Sequence, residues 1–219
     1  MKSRITSIIT LLSLLGLFSS TCSPFSITVH ADEWVSLFDG KTVEGWRANE
    51  KPECFTVENG SLKLNGGMAH LFCVKEGYSD LKNFELKADV KTLPGANSGF
   101  FFHTEDRGKG SLKKGYEAQI NTSFTKDPRK TGSLVDVKDV DQSPVPDNEW
   151  YEYKILVNGK HIVISINGKP VVDYVEDEKP TRKKGREERI LSHGAIAIQA
   201  HDPNSTTFLR NIQLRKLPD

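Results

Sequence analysis

Apolar and polar residues alternate with a period of two along most of the chain, the signature of half-buried strands. The segment Asn83–Lys91 is the cleanest case: Phe84, Leu86, Ala88 and Val90 share one side, and Glu85, Lys87 and Asp89 the other. Tyr116–Ile120 repeats it, with Tyr116, Ala118 and Ile120 opposite Glu117 and Gln119. Phe100–Thr104 is apolar on both sides except at His103, which predicts a central strand. Asn-Gly pairs at 59–60, 158–159 and 167–168 supply the left-handed residues of tight hairpin turns. No stretch carries a long 3.6-residue apolar period. The expectation is an all-β domain of two packed antiparallel sheets.

Towards the C-terminus, His193–Leu217 reads as two strands joined by a polar turn. Ile196, Ile198 and Ala200 point one way while Ala197, Gln199 and His201 point the other. Asp202 suits a cap on the turn through Pro203-Asn204. Further on, Arg210-Asn211 breaks the alternation, and a β-bulge there would bring both Leu209 and Ile212 to the core.

Residues 1–31 read as a secretion signal. Lys2 and Arg4 precede an apolar run from Ile5 to Phe18, no acidic residue occurs before Asp32, and Val29-His30-Ala31 suits cleavage before Asp32. That run is too short and too broken by Ser and Thr for a transmembrane segment. A lipoprotein site with Cys22 acylated is the competing reading, weakened by the bulk of Thr21 before the cysteine. The expectation is an exported protein, periplasmic or extracellular, with residues 32–219 as a single domain.

Charge narrows the partners. Removing Lys2 and Arg4 leaves 28 basic against 29 acidic residues, so nothing general draws the chain to nucleic acid or anionic lipid. The mixed-charge run Glu176–Arg189 reads as a solvated loop, and 121–148 as long loops bordering a binding face. Cys54 and Cys73 sit on predicted neighbouring strands, where an exported protein would form either a disulfide or two separately buried thiols.

The chain lacks a phosphate loop, a metal-binding His-Glu-x-x-His helix and a nucleophile elbow. Chemistry must therefore come from polar residues spread over strand faces. Glu117 and Gln119, about 7 Å apart on one side of a strand, suit either solvent or the paired hydroxyls of a sugar. Glu117 could also act as a general base. His103 is either a buried histidine with a backbone partner or a proton carrier sharing a face with Phe101, which could stack on a pyranose. His201 and Asp202 follow Gln199 on the polar side of their strand. Arg210 suits an ion pair with Glu117 or a ligand contact, and Trp46 and Trp150 suit stacking, with core packing the better reading for Trp150. Donor atoms on His201, Asp202 and Glu117 suit a divalent metal at a spacing that is not diagnostic. Asp136, Asp139 and Asp141 make an unconvincing calcium loop.

These residues lie within a recognisable series. Leu37-Phe38-Asp39-Gly40-Lys41-Thr42 with Gly45-Trp46, Ala96-Asn97-Ser98-Gly99, Gly115-Tyr116-Glu117-Ala118-Gln119, Asn148-Glu149-Trp150, Gly194–His201 and Leu209-Arg210-Asn211-Ile212 fall in order across 32–219. The chain resembles the 3-keto-disaccharide hydrolase domain family. The resemblance implies a concanavalin A-like jelly-roll sandwich holding a saccharide on one concave sheet face. It also implies cleavage of a glycosidic bond in a sugar oxidised at carbon 3. The ketone acidifies the carbon-2 proton, a base removes it, the enediolate expels the leaving group from carbon 1, and water adds.

On this chain the resemblance makes Glu117 or His201 the base and His103 or Arg210 the partner of the oxyanion, with Gln119, Gln199 and Asn211 positioning hydroxyls. Two positions depart from the family pattern. His103 stands where an arginine is usual, and Leu209 where a phenylalanine is usual. The rival expectation is a carbohydrate-binding module without turnover. A conventional glycosidase would need a second carboxylate facing Glu117.

Overall fold

The computed structural model describes residues 33–219. The expected signal segment 1–31 and Cys22 lie outside the described residues. Thirteen strands follow in order: β1 (Val35–Ser36), β2 (Trp46–Ala48), β3 (Phe55–Glu58), β4 (Ser61–Asn65), β5 (Ala69–Cys73), β6 (Phe84–Thr92), β7 (Ser98–Thr104), β8 (Tyr116–Ile120), β9 (Tyr151–Asn158), β10 (His161–Ile166), β11 (Lys169–Val175), β12 (Ala195–Ala200) and β13 (Thr206–Lys216). A 3-10 turn at Pro52–Cys54 is the one helical element among the described residues.

Eight strands form one sheet, ordered β11-β10-β9-β6-β13-β4-β3, with β1 also paired to β13. Five form the other, ordered β2-β5-β12-β7-β8. Every pairing is antiparallel, so the molecule is an all-β, jelly-roll sandwich. Asn59 and Gly60 (φ 50° and 75°) turn β3 into β4, and Asn167 and Gly168 (φ 49° and 74°) turn β10 into β11. Both residues of each pair take positive φ, as the tight hairpin turn requires.

The core lies between the sheets. From the large sheet come Phe84, Leu86, Val90, Ile155, Ile164 and Leu214; from the small one, Leu71, Phe100, Phe102, Ile196 and Ile198. Full burial of each such side chain stabilises the fold by about 2 kcal/mol.

Three expectations are sharpened or changed here. First, the two strands joined by a polar turn, β12 and β13, belong to different sheets, and the turn at 201–205 crosses the edge of the sandwich. Second, of the two readings for Cys54 and Cys73 the structure has the separately buried free thiols, with no bridge between them. Cys54 ends the 3-10 turn leading into the large sheet, whereas Cys73 sits on β5 of the small sheet opposite Trp46. Burial pushes both thiols above their ordinary pKa. Third, the two tryptophans exchange expectations. Trp46 is core and donates its indole N–H to the Leu37 carbonyl at 2.6 Å, while Trp150 is half-buried beneath Arg210.

Two bulges decide where the candidate residues point. In β13 the register with β6 shifts between Arg210 and Gln213, with Asn211 at φ 51°. Leu209 and Ile212 both reach the core, each 0% exposed. In β7, Thr104 faces Ala195 but Phe101 faces Ala197, so Phe102 and His103 together oppose Ile196 alone. His103, at φ 54°, is thereby turned off the face of Phe101.

Candidate functional site

The outer face of the five-stranded sheet gathers polar side chains that solvent does not account for. One cross-strand row runs Phe72 (β5), Ala197 (β12), Phe101 (β7), Glu117 (β8). In the next row His70 faces Gln199, and Gly99 faces Gln119. A Cβ at Gly99 would lie 3.3 Å from both Cγ and Oε1 of Glu117, so glycine there leaves room for the carboxylate to lie across the sheet.

Loops roof this face. Leu112, carried between β7 and β8, packs on Phe72, Phe101 and Ala197. Residues 132–135 run along the free edge of β8: Gly132 N–H donates to Gln119 O, Gln119 N–H to Ser133 O, and Val135 N–H to Glu117 O, at 2.9–3.0 Å. The third loop is the charged run 176–192, mostly exposed as its composition suggests but pinned to the sheet by two buried charged residues, Glu176 and Arg189. Glu176 accepts from the Tyr116 hydroxyl, from Arg182 Nη2 at 2.9 Å and from the Leu191 N–H at 3.0 Å. That buried anchor holds Arg189 over the sheet at 1% exposure.

Arg189 and Glu117 are the centre of the site. Arg189 Nη2 lies 3.2 Å from Glu117 Oε2, and its guanidinium carbon sits 5.5 Å from the Phe101 ring centre. Burial raises the Glu117 pKa above the ordinary carboxylate value, while the cations of Arg189, Arg129 and Arg186 work against that rise. The result is a sheltered carboxylate, 13% exposed, beside a fixed positive charge.

Around this pair stands an amide and carboxylate network. Gln119 Nε2 donates to Asn97 Oδ1 at 3.1 Å and to Asp127 Oδ2 at 3.4 Å, and Asp127 holds Arg129 through both carboxylate oxygens at 2.8 Å. At the far end of the face, His201 Nδ1 lies 2.9 Å from Asp202 Oδ2 and its ring meets Phe124 edge-on. Asp202 also accepts from Ser205 Oγ at 2.7 Å and the Asn204 N–H at 2.9 Å, so one carboxylate both caps the turn and orients the imidazole. These bonds hold its pKa below the usual range.

Several buried polar atoms on this face have no partner within the protein: both ring nitrogens of His70, Gln199 Oε1 and Arg189 Nε. His70 is 0% exposed, meets Phe101 edge-on at 5.0 Å, and is pushed down to about 4 by burial. Unpaired buried groups are rare in native folds and are common where a ligand completes the bonding. Gln199 Nε2 meets only the Met68 sulfur, at 3.6 Å.

The sequence-predicted residues thus divide. Glu117, Gln119, Gln199, Phe101, His201 and Asp202 share this face. His103 does not: its Nε2 lies 2.8 Å from the Lys82 carbonyl and its Nδ1 accepts from the Ser192 N–H at 3.1 Å, with Phe84 and Phe102 against the ring. Both ring nitrogens are spent on backbone, and burial lowers its pKa to about 4. Arg210 and Asn211 lie on the other sheet, bound to Asp89 at 3.2 and 2.7 Å, so Arg210 has no part in the Glu117 ion pair. Trp46, in the core, offers no stacking surface. Asp136 is occupied by Arg129, Lys183 and Arg186. Among the described residues, no three His, Cys, Asp or Glu side chains gather as a metal cluster.

Sequence reasoning missed Arg189, His70, Asp127 and Arg129. Alternation pointed to His70, which shares its side of β5 with Phe72, and nothing local marked the others.

Residues 33–215 match the family described as the 3-keto-alpha-glucoside-1,2-lyase-like domain. A 3-keto-disaccharide hydrolase of Bacteroides thetaiotaomicron is 30% identical over 184 residues, which cover 68% of this chain; the chain spans 60% of that relative's length. Among solved structures, a candidate glycosyl hydrolase of Parabacteroides distasonis superposes with a TM-score of 0.74 at 23% identity, covering 86% of this chain and 95% of its own. A carbohydrate-binding module of Bacillus subtilis superposes with a TM-score of 0.55 at 14% identity, covering 78% and 96%. At these identities the two structures speak for the shared sandwich alone.

Proposed function

The chain belongs to the family of 3-keto-alpha-glucoside-1,2-lyase-like domains, and from that premise we propose that it cleaves 3-keto-glycosides by elimination followed by hydration. The observation that carries the reading is the buried pair of Glu117 and Arg189 on the floor of Phe101.

Glu117 takes the proton from carbon 2 of the oxidised sugar. Its raised pKa strengthens it as a base, because a carboxylate short of water holds a proton more tightly. The electron pair from the broken C–H bond moves onto the carbon-3 oxygen. Arg189 stabilises that developing oxyanion with a charge already fixed in place, so no reorganisation is needed during the step. Collapse of the enediolate then breaks the C1–O bond, and the leaving oxygen departs with the bonding pair and collects a proton.

His201 is the second proton-handling group on the face. Asp202 accepts its Nδ1–H, leaving Nε2 to exchange a proton with the leaving group or with the incoming water. Water adds across the resulting double bond and restores the 3-keto sugar. Gln119 and Gln199 hold hydroxyls, while Phe101, Phe72 and Ala197, packed under Leu112, form the apolar backing of the Glu117–Arg189 pair.

The test is Glu117→Gln, assayed on a 3-keto-glucoside. The variant keeps the shape and loses the base, so turnover should fall about 10³-fold in protein that remains folded by circular dichroism, although the unpaired Arg189 lowers the unfolding midpoint. Undiminished turnover in a folded variant would remove Glu117 from the role. Saccharide affinity indifferent to oxidation at carbon 3, without turnover in the parent protein, would make this a binding module.

A further inference from the structure

The apolar patch behind the Glu117–Arg189 pair is closed by a single side chain. Between β7 and β8, residues 105–114 are polar or glycine except for Leu112. Leu112 is also the one buried residue among them, with exposed Ser111 and Lys113 on either side. It packs on Phe72, Phe101 and Ala197, and Phe101 is left 2% exposed. A ligand reaches that patch only once Leu112 leaves it.

The segment is lightly held. Among the described residues, no backbone-to-backbone bond ties 105–114 to either sheet. Its anchors are side chains: Asn49 Nδ2 donates to Gly108 O at 2.7 Å, Glu50 Oε1 accepts from the Gly110 N–H at 2.8 Å, and Arg47 pairs with Asp106 at 3.2 Å. Arg107 meets both carboxylate oxygens of Glu188, at 3.0 and 2.6 Å, and half-exposed pairs of this kind hold weakly. The far end is fixed. The Gly115 N–H donates to Glu188 O at 2.9 Å, and a Cβ at Gly115 would lie 2.2 Å from Phe102 O. Closure also leaves bonds unmade beneath the loop: both ring nitrogens of His70, which meets Phe101 edge-on, together with Arg189 Nε and Gln199 Oε1. Buried groups without partners favour any state in which water or a ligand reaches them.

We propose that residues 105–114 form a lid, closed in this structure, and that Leu112 fills the place taken by the apolar side of a ligand when the lid opens about Glu105 and Gly115. Opening uncovers Phe72, Ala197 and the Leu112 side of Phe101, and lets His70 make its bonds. Arg107 and Glu188 tie the lid to the segment that carries Arg189, so the lid and the cation beside Glu117 move as neighbours. That the ligand is a sugar rests on the elimination reading; the lid does not.

Diethyl pyrocarbonate acylates neutral imidazoles that solvent reaches, and peptide mass spectrometry reads each histidine of the full chain separately. At pH 7 His70 and His103 are both neutral and both buried, but the ring nitrogens of His103 are bound to Lys82 and Ser192, outside the lid. His70 should react about tenfold faster than His103 in wild type, because local opening costs less than unfolding. Leu112→Ser should speed His70 by about a further tenfold and leave His103 unchanged. Arg107→Gln, which keeps the apolar contact, should speed His70 by about threefold. One shared rate for the two histidines would mean that only global unfolding exposes them, and would overturn the lid. So would an unchanged His70 rate in Leu112→Ser protein that is folded by circular dichroism. If that variant does not fold, wild type and Arg107→Gln decide the matter by the same comparison. No sugar enters the test, and the elimination reading falls separately if Glu117→Gln keeps its turnover.

Discussion

The two outer faces of the sandwich have similar alternating sequences and opposite fates. On the eight-stranded sheet, Lys87, Asp89, Lys91 and Arg210 alternate with core residues and remain at the surface. Arg210 lies 4.1 Å from the Trp150 ring centre and Lys91 5.0 Å from it, with Asp89 alongside. On the five-stranded sheet, Glu117, Gln119, Gln199 and His70 alternate with core residues in the same way and are roofed by loops 105–115, 121–140 and 176–192. The first set stays partly exposed, with Asp89 pairing Arg210 and Asn211. The second set meets protein or nothing, and its pKa values and unpaired atoms follow from that. Pattern defines a face; coverage by loops turns a face into a site.

The sharpest way to break the comparison is to remove the cation beside the proposed base. Arg189→Met should lower kcat on a 3-keto-glucoside by about 10²–10³-fold, as loss of an oxyanion partner does. Arg189 favours the ionised form of Glu117, so its loss should also move the acid limb of the pH–rate profile upward. A limb that stays in place would separate the two residues functionally.

Next in size comes acid stability. His70 and His103 are both held down to about 4 from an ordinary 6.5 by burial. Between those values the unfolded chain binds protons that the folded one refuses, so stability is full above pH 6.5 and is lost as the pH falls towards 4. Each histidine contributes on the order of 3 kcal/mol to that loss. Urea unfolding at pH 7 and pH 5 should show the slope, and His70→Phe should remove about half of it. An unchanged slope in that variant would mean that His70 titrates freely.

Smaller still is the effect of opening the large sheet's surface. Arg210→Met should cost less than about 1 kcal/mol, because its partner Asp89 is solvated, and should leave kcat/KM within about twofold of wild type. A tenfold loss of activity would bring β13 back into the site. The least effect is expected from reductant: with Cys54 and Cys73 unbridged, the unfolding midpoint should not move.

Much of the fold was legible because strands announce themselves locally. The Asn-Gly turns, the alternation of β6 and β8, and the bulge at Arg210-Asn211 are all set by neighbouring residues. The separation of β12 and β13 into different sheets was not, because a polar turn reads the same whether it closes a hairpin or crosses between sheets. In the site, Glu117, Gln119 and Gln199 could be nominated from strand periodicity. His103 misled because one left-handed residue reverses the direction of a side chain, and φ is not written in composition. Arg189 was hidden for a different reason. Its burial depends on Glu176 meeting Tyr116, 60 residues away in sequence, and the charged run around it resembles any solvated loop.

Glu117 is the proposed acceptor of the carbon-2 proton on the covered face. Exchange of that proton for deuterium in D2O, followed by NMR on a 3-keto-glucoside, observes the step itself rather than its consequences. Wild type and Asp89→Asn should exchange carbon 2 at the same rate, and Glu117→Gln should show no exchange above the uncatalysed background. Wild-type exchange in the Glu117→Gln protein would contradict the account.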